Sequence, residues 1–551
     1  MKFTLKNNRH RESASRRQGL PMSHPPRAVL AIVAVLALLF SGCASHTALV
    51  GSDDDTLIYG TGEVPRVLNP AVQSGLATAT SGAQLFASPV LLTKSLEPKP
   101  YLAKSWDESD DGKKVTLHLV DSAKFHDGVA ITSEDVAFSL DVVKREHPFG
   151  ANLFGPVTSV DTPDKHTVVI NLSRRHPALM TAMSPPFLPV IPKHVYGTGD
   201  TVADHPQNSQ KVVGSGPYRL RSHSEGKRIV FDKVDDFFMD NSKAPKSVII
   251  EIISDENTLS LALEKGEIDM MTTNTPSVTQ RLSRSSDLTV AEQGYEGIGS
   301  LGWLGFNVKS KYLSDKKVRQ AIAYSIDRDY IINDLHRGKL SAATSPIASG
   351  SPYHDDDLPE YDRDLNKAGD LLDDAGYPSS EDGKRFDLQL DYAPTSNEMS
   401  TSVAETIKAN LKEVGINVRI RSSADAPTWG NRVANYDYDM TLDNVWNWGD
   451  PVVGVERTYL CSNIKKGVLW ANMSQYCNPK VDELFKNAAA APDEKTRKEL
   501  YFDVQEILTD ELPILPFETQ QFRNIYSDTV VNPPNGPFGI MSPLLNTSME
   551  G

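Results

Sequence analysis

Val115 to Val120 (VTLHLV) and Thr167 to Leu172 (TVVINL) alternate apolar with polar positions, the two-residue period of a half-buried strand. Lys246 to Ile253 (KSVIIEII) is apolar almost throughout and reads as a buried strand. Asp255 stands where it can cap the helix that follows, whose stripe is Leu259, Ala262 and Leu263. Gly266 stops that helix, and Ile268 to Met271 returns as a strand. Val318, Ala321, Ile322, Ser325 and Ile326 fall at helical spacing behind Ser314 and Asp315. A second helix is predicted from Asp327 to Gly338. A third follows Asp362, with Leu365, Ala368, Leu372 and Ala375 on one face and Gly376 as its stop. Val403, Ile407, Leu411 and Val414 form a fourth stripe, ended by Gly415 before the strand Ile416 to Ile420. Helix–Gly–strand units of this kind build α/β sheets. No internal repeat and no long low-complexity linker interrupts them, so the domains are interleaved rather than strung in series.

The front of the chain follows a different rule. Ala28 to Phe40 is an unbroken run of thirteen apolar residues, too short to span a bilayer comfortably. A basic segment ending in Arg27 precedes it and small residues follow, the order of a secretory signal peptide over residues 1–42. Met22 offers a start that gives a signal of ordinary length, which leaves residues 1–21 outside it. Phe40-Ser41-Gly42-Cys43 matches a bacterial lipobox except for Phe40 at its first position. Cys43 is then the residue that receives the lipid, because its thiol is the nucleophile for acylation, and residues 43–55 form a tether. The alternative is a plain signal peptide cut nearby, with Cys43 left as a free thiol.

The length of 551 residues exceeds one ordinary core, so at least two lobes are expected. Net charge is −15, and the first 42 residues carry seven basic side chains against one acid; removing them leaves 50 basic and 71 acidic residues. So acidic a body repels phosphate backbones, and no nucleic-acid partner is expected. Besides Cys43 there are two cysteines, Cys461 and Cys477. In an oxidising exterior such a pair favours a disulfide; two unpaired buried thiols are the other possibility. The chain has no P-loop, no HExxH and no G-x-S-x-G elbow. Its thirteen histidines are scattered without metal-ligand spacing. No catalytic residue, metal ligand or cofactor is therefore assigned, and an enzyme is not expected.

Several segments taken together resemble the family 5 extracellular solute-binding proteins, the peptide- and nickel-binding class of ABC importers. They are Leu68-Asn69-Pro70, Tyr101 to Trp106 (YLAKSW), Lys124 to Gly128 (KFHDG) and Thr132 to Val136 (TSEDV). Further on come Val213 to Tyr218 (VGSGPY), Leu263 to Asp269 (LEKGEID), Phe306-Asn307 and Val318 to Arg328 (VRQAIAYSIDR). The resemblance implies an α/β, two-lobed periplasmic-binding-protein-like fold with an extra subdomain on the first lobe. Lobe I is expected in 56–78, 210–295 and 511–551, the extra subdomain in 79–209, and lobe II in 296–510. It also implies a monomer at the outer face of the cell membrane, handing a peptide or small solute to permease and ATPase subunits. Within the same frame stand a metal-chelate binder and a sensing or adhesion lipoprotein.

Four of the six tryptophans lie between 429 and 470, and Asp443 to Pro451 (DNVWNWGDP) mixes aromatic with polar groups as a directional pocket wall must. Ligand contacts are expected from Asp443, Trp446, Asn447, Trp448 and Asp450. The resemblance places Asn447 where peptide-binding relatives carry an Asp that pairs with the peptide amino terminus. An amide cannot replace that charge, so either Asp443 or Asp450 supplies it or the ligand is not a simple peptide. On the facing lobe, Thr78, Thr80 and Ser81 in a stretch of small polar residues are further expected contacts, as is Asn307.

Overall fold

A computed structural model describes residues 55–199, 201–338, 340–393 and 399–550. The signal segment, Cys43 and nearly all of the tether lie outside the described residues.

Lobe I is built on a seven-stranded mixed sheet. Its first strand, Thr56–Thr61, runs parallel to Ser247–Ile252 on one side and to Met270–Thr273 on the other. Parallel neighbours need a crossover, and the helix Glu256–Glu264 supplies it. Asp255 caps this helix by accepting the amide of Thr258 at 2.7 Å, and Gly266 takes φ 68°, which a β-carbon disfavours. Arg228–Lys233 and Tyr218–Ser224 extend one edge of the sheet; Arg523–Ser527 and Leu288–Val290 complete the other.

The extra subdomain is a four-stranded antiparallel sheet in the order Ala103–Glu108, Lys114–Leu119, Thr167–Leu172, Val157–Asp164. The two alternating segments of the sequence are its central pair, and they bury Val115, Leu117, Val168 and Ile170 in one core continuous with lobe I. His126 locks the subdomain to lobe I. Its Nδ1 accepts the amide of Gly214 at 3.1 Å, so Nε2 carries the proton and donates to the Gly216 carbonyl at 3.0 Å. A β-carbon on Gly214 would stand 1.9 Å from the Leu85 carbonyl oxygen, so only glycine admits this approach.

Lobe II surrounds a six-stranded sheet whose central strand, Ser300–Phe306, is buried along its whole length. Leu301 and Trp303 face one core with Trp429, Phe485 and Tyr501; Leu304 and Phe306 face another with Ile322, Leu390 and Leu411. The sheet also takes in Ile514–Gln520, paired with Ser300–Phe306. Lobe II therefore runs past the expected boundary at residue 510, and the chain returns to lobe I only after Gln520. The third predicted helix, Leu365–Asp374, follows Asp362 and is capped by Asp364, which accepts the amides of Asn366 and Lys367. The helix predicted from Asp327 to Gly338 forms over Tyr330–Leu335 as a wide π-type helix; Asp327 accepts the Tyr330 amide at 2.9 Å, and Gly338 follows it at φ 63°.

Cys461 and Cys477 are joined by a disulfide, with an S–S distance of 2.08 Å. It closes a 16-residue separation that carries Trp470. Replacing both cysteines with serine is expected to cost about 3 kcal/mol, the entropy of a loop of this size. Calorimetry would show it as a lowered Tm, matched by the reduced wild type. Among the described residues no helix is long and apolar enough to cross a membrane.

Candidate functional site

The chain passes between the lobes at residues 295–300 and again at 520–523. Ser300 pairs with both Trp446 and Gln520, so three strand ends meet at the crossing. Gln520 ties them together. Its oxygen accepts from Asn274 of lobe I at 3.1 Å, and its amide nitrogen donates to Asn444 at 3.0 Å and to Glu518 at 2.9 Å. A side-chain amide has one acceptor and two donor hydrogens, and all of them are used across the junction.

Asp443 to Pro451 runs through this junction, but its side chains divide between scaffold and cleft. Asp443 is half-buried on the strand Met440–Trp446, opposite Trp303. Its Oδ2 accepts the indole N–H of Trp470 at 2.9 Å. Burial pushes its carboxyl up to about 7, opposed by the Asn444 amide, the Trp470 indole and the charge of Arg457. Trp446 is half-buried, edge-on to Phe522 with ring centres 5.6 Å apart and to Trp448 at 5.2 Å.

The other expected contacts are spent on structure. Trp448 is 3% exposed and lies in the lobe I core, 5.3 Å from the ring of Phe187. It reaches there through a left-handed turn, φ 55° at Trp448 and 77° at Gly449. A bulky residue pays for that conformation only where packing holds it. Asn447 is buried: its oxygen accepts the Ala348 amide at 2.6 Å and its nitrogen lies 3.5 Å from the Pro346 carbonyl. It pins the 346–348 loop. Asp450 accepts the Val452 amide at 3.0 Å, capping Pro451–Gly454, and pairs with Arg497 at 2.8 Å.

Thr78 donates to the Val67 carbonyl at 2.8 Å, and Thr78, Thr80 and Ser81 are all buried in the helix Leu76–Leu85. They pack lobe I and do not present a polar surface. Asn307 lies at the far end of Ser300–Phe306, about 20 Å of extended chain from the crossing. Its side chain donates to the Tyr438 carbonyl at 3.0 Å and accepts from Gln475 at 2.8 Å, so it is a fold residue.

Sequence reasoning missed Arg457, Trp470 and Gln520. Trp470 belongs to the tryptophan cluster and is 42% exposed, a large apolar surface left to solvent. Arg457 is buried, and its guanidinium lies over the ring of Phe149 in the subdomain, 4.8 Å from the ring centre. Burial pushes it down to about 10, with the charge of Asp443 opposing. Nothing in the local pattern around Arg457 or Gln520 signals either role.

These features are those of a two-lobed binding protein. The family model "Bacterial extracellular solute-binding proteins, family 5 Middle" matches residues 97–466. The chain belongs to this family, whose members are the extracytoplasmic solute-binding components of ABC importers and not enzymes. The "Dipeptide-binding protein" of Escherichia coli (strain K12) is 27% identical over 497 residues, covering 84% of this chain and 88% of that one. NikZ from Campylobacter jejuni, solved with Ni(L-His), superposes with a TM-score of 0.80 at 23% identity, covering 90% of this chain and 99% of the other. AgaA of A. tumefaciens R10, solved with agropinic acid, gives a TM-score of 0.76 at 25% identity, covering 90% and 99%.

Proposed function

We propose that this protein captures a peptide or peptide-like small solute between its lobes and delivers it to the permease and ATPase of an ABC importer. The observation that carries the reading is the lobe II wall at the crossing. Asp443 offers a carboxylate oxygen on one face of the strand Met440–Trp446, beside the exposed indole of Trp470, and Trp446 offers flat apolar area on the other face. Few polar groups among aromatic surface is the composition that orients a small ligand. Contacts from both lobes would be made only in the closed form, so the ligand shifts the population toward closure. The dipeptide-binding relative and the agropinic-acid complex support a small, polar, amino-acid-derived solute. No bond is broken in this cycle and no residue takes a catalytic role. The protein works as a monomer, held beside its transporter by lipid on Cys43; Cys43→Ala moves it from the membrane fraction to the soluble one.

Native mass spectrometry of protein purified gently from its own host tests the binding reading. A co-purified mass of a peptide or peptide-like compound is expected. Trp446→Ala should weaken binding of that compound by at least about tenfold, or 1.4 kcal/mol. If dipeptides, longer peptides, opines and metal chelates all fail to shift the Tm of the wild type, the reading is wrong.

A further inference from the structure

A cavity of about 220 Å³ lies on the seam between the subdomain and lobe II. None of its walls comes from the crossing segments 295–300 and 520–523 or from the strand Met440–Trp446. Leu172, Leu179 and Met180 wall it from the subdomain, and Pro492 and the start of the helix Glu494–Glu511 from lobe II. The space suits a small solute, below the range of about 300–1,000 Å³ usual for larger ligands.

Two side chains on these walls, His176 and Arg497, are each only 4% exposed, and each keeps one buried nitrogen without a partner. His176 Nε2 lies 2.8 Å from the Leu153 carbonyl, which can only accept. Nε2 therefore carries the proton, and Nδ1 holds an unused lone pair. Burial pushes the ring down to about 4, so it is neutral at neutral pH. Arg497 spends Nη1 on Tyr353 at 2.6 Å and Nη2 on Asp450 at 2.8 Å, and its Nε–H has no acceptor. A buried donor and a buried acceptor left unmet are both costly. Each is shut off from solvent as the seam stands. A solute that enters while the seam is parted, and is enclosed as it shuts, can satisfy both.

The two nitrogens and their neighbours define its chemistry. Three carboxylates, Glu108, Asp493 and Glu494, share the walls. An anion meets all three and has no donor for His176. A cation has donors but nothing to accept from Arg497 Nε–H. A hydroxyl both donates and accepts at one freely turning atom. The apolar walls suit the C–H faces of a molecule that carries several hydroxyls. We propose that this cavity binds a small uncharged polyol, of about monosaccharide size, as an effector that holds the subdomain against lobe II. His176 belongs to the subdomain and Arg497 to lobe II, so both contacts exist together only when the seam is shut. By linkage, the polyol and the captured solute then raise each other's affinity by the same factor. The proposal goes beyond solute capture, and its failure leaves that reading standing.

Nitrogen NMR of the full chain labelled at histidine tests it, with D-glucose, myo-inositol and glycerol as probes and the His176 signal assigned by its loss in His176→Gln. At least one probe is expected to shift the His176 Nδ1 resonance saturably, with a millimolar or tighter Kd. Gluconate and glucosamine, the charged counterparts of glucose, should bind at least about tenfold more weakly. Met180→Trp fills the cavity without touching its polar groups and should weaken the probe by a similar factor while circular dichroism stays native. Small-angle X-ray scattering should show a smaller radius of gyration with the probe bound. No saturable shift with any of the three polyols overturns the site, as does equal binding of either charged counterpart. A shift that Met180→Trp leaves unchanged places the probe elsewhere and overturns it too. Binding without compaction overturns the effector role.

Discussion

Asp450→Asn is expected to cost about 3–5 kcal/mol at pH 6, the cost of removing one partner of a buried ion pair. Asn still caps Pro451–Gly454, so the loss isolates the charge. Arg497 would keep its hydrogen bond to Tyr353, at 2.6 Å, but would lose its ion-pair partner. The native pair is nearly enclosed, with side chains 4% and 8% exposed. The surroundings make the outcome pH-dependent. Glu456 is buried close by and feels the charges of Asp450, Arg174 and Arg497. With Asp450 neutral, Glu456 can ionise and compensate Arg497. The deficit of Asp450→Asn should therefore shrink between pH 6 and 8, and Asp450→Asn with Glu456→Gln should lose that recovery. Thermal melts of the three variants at both pH values measure it. Equal deficits at pH 6 and 8 would mean that Glu456 does not communicate with the pair.

This cluster also shows why part of the site could be read from the sequence and part could not. Period-two alternation at Thr167–Leu172 and the Asp255 and Gly266 punctuation are local rules, and the elements form where those rules place them. The two-lobed architecture follows from motifs spread along the chain. Asp443 and Trp446 stay only half-buried because they lie on a strand that ends at the crossing. Trp448 and Asp450 have the same composition signal, but their fates depend on Phe187 and on Arg497, each distant in sequence. No window of sequence holds that information. The lobe II boundary was misplaced for a similar reason. Ile514–Gln520 is an apolar strand in either lobe, and only its pairing with Ser300–Phe306 decides between them.

Glu456→Gln is expected to stabilise the protein at neutral and mildly alkaline pH and to flatten its pH dependence. Burial raises the Glu456 carboxyl from 4.5 to about 8, with the Asp450 charge adding to the effect and Arg174 and Arg497 opposing it. Between those values the folded protein holds a proton that the unfolded chain has released. Stability then falls as pH rises, by up to about 1.4 kcal/mol per pH unit from this one group. Asp443, raised to about 7, acts in the same direction over a narrower range. Buried histidines act in the opposite sense. Burial lowers His126 to about 4, His147 to about 3 and His176 to about 4, so the folded state refuses protons that the unfolded chain accepts below 6.5. That part of the stability is present above 6.5 and is lost as the solution is acidified. The two sets together place the Tm maximum of the wild type near neutrality on its acid side, with Tm declining both ways. Glu456→Gln should raise the Tm most at pH 8 and leave it unchanged below pH 4.5, where Glu456 is protonated in the folded and the unfolded chain alike. An equal rise at pH 5 and pH 8 would show that the substitution acts through packing rather than through the proton. Arg174 and His176 belong to the subdomain, and Asp450, Glu456 and Arg497 to lobe II. Arg174 also donates to the Ala489 carbonyl of lobe II at 2.6 Å. The proton on Glu456 thus sits where the subdomain meets lobe II, and its loss at high pH weakens that contact before it weakens either core.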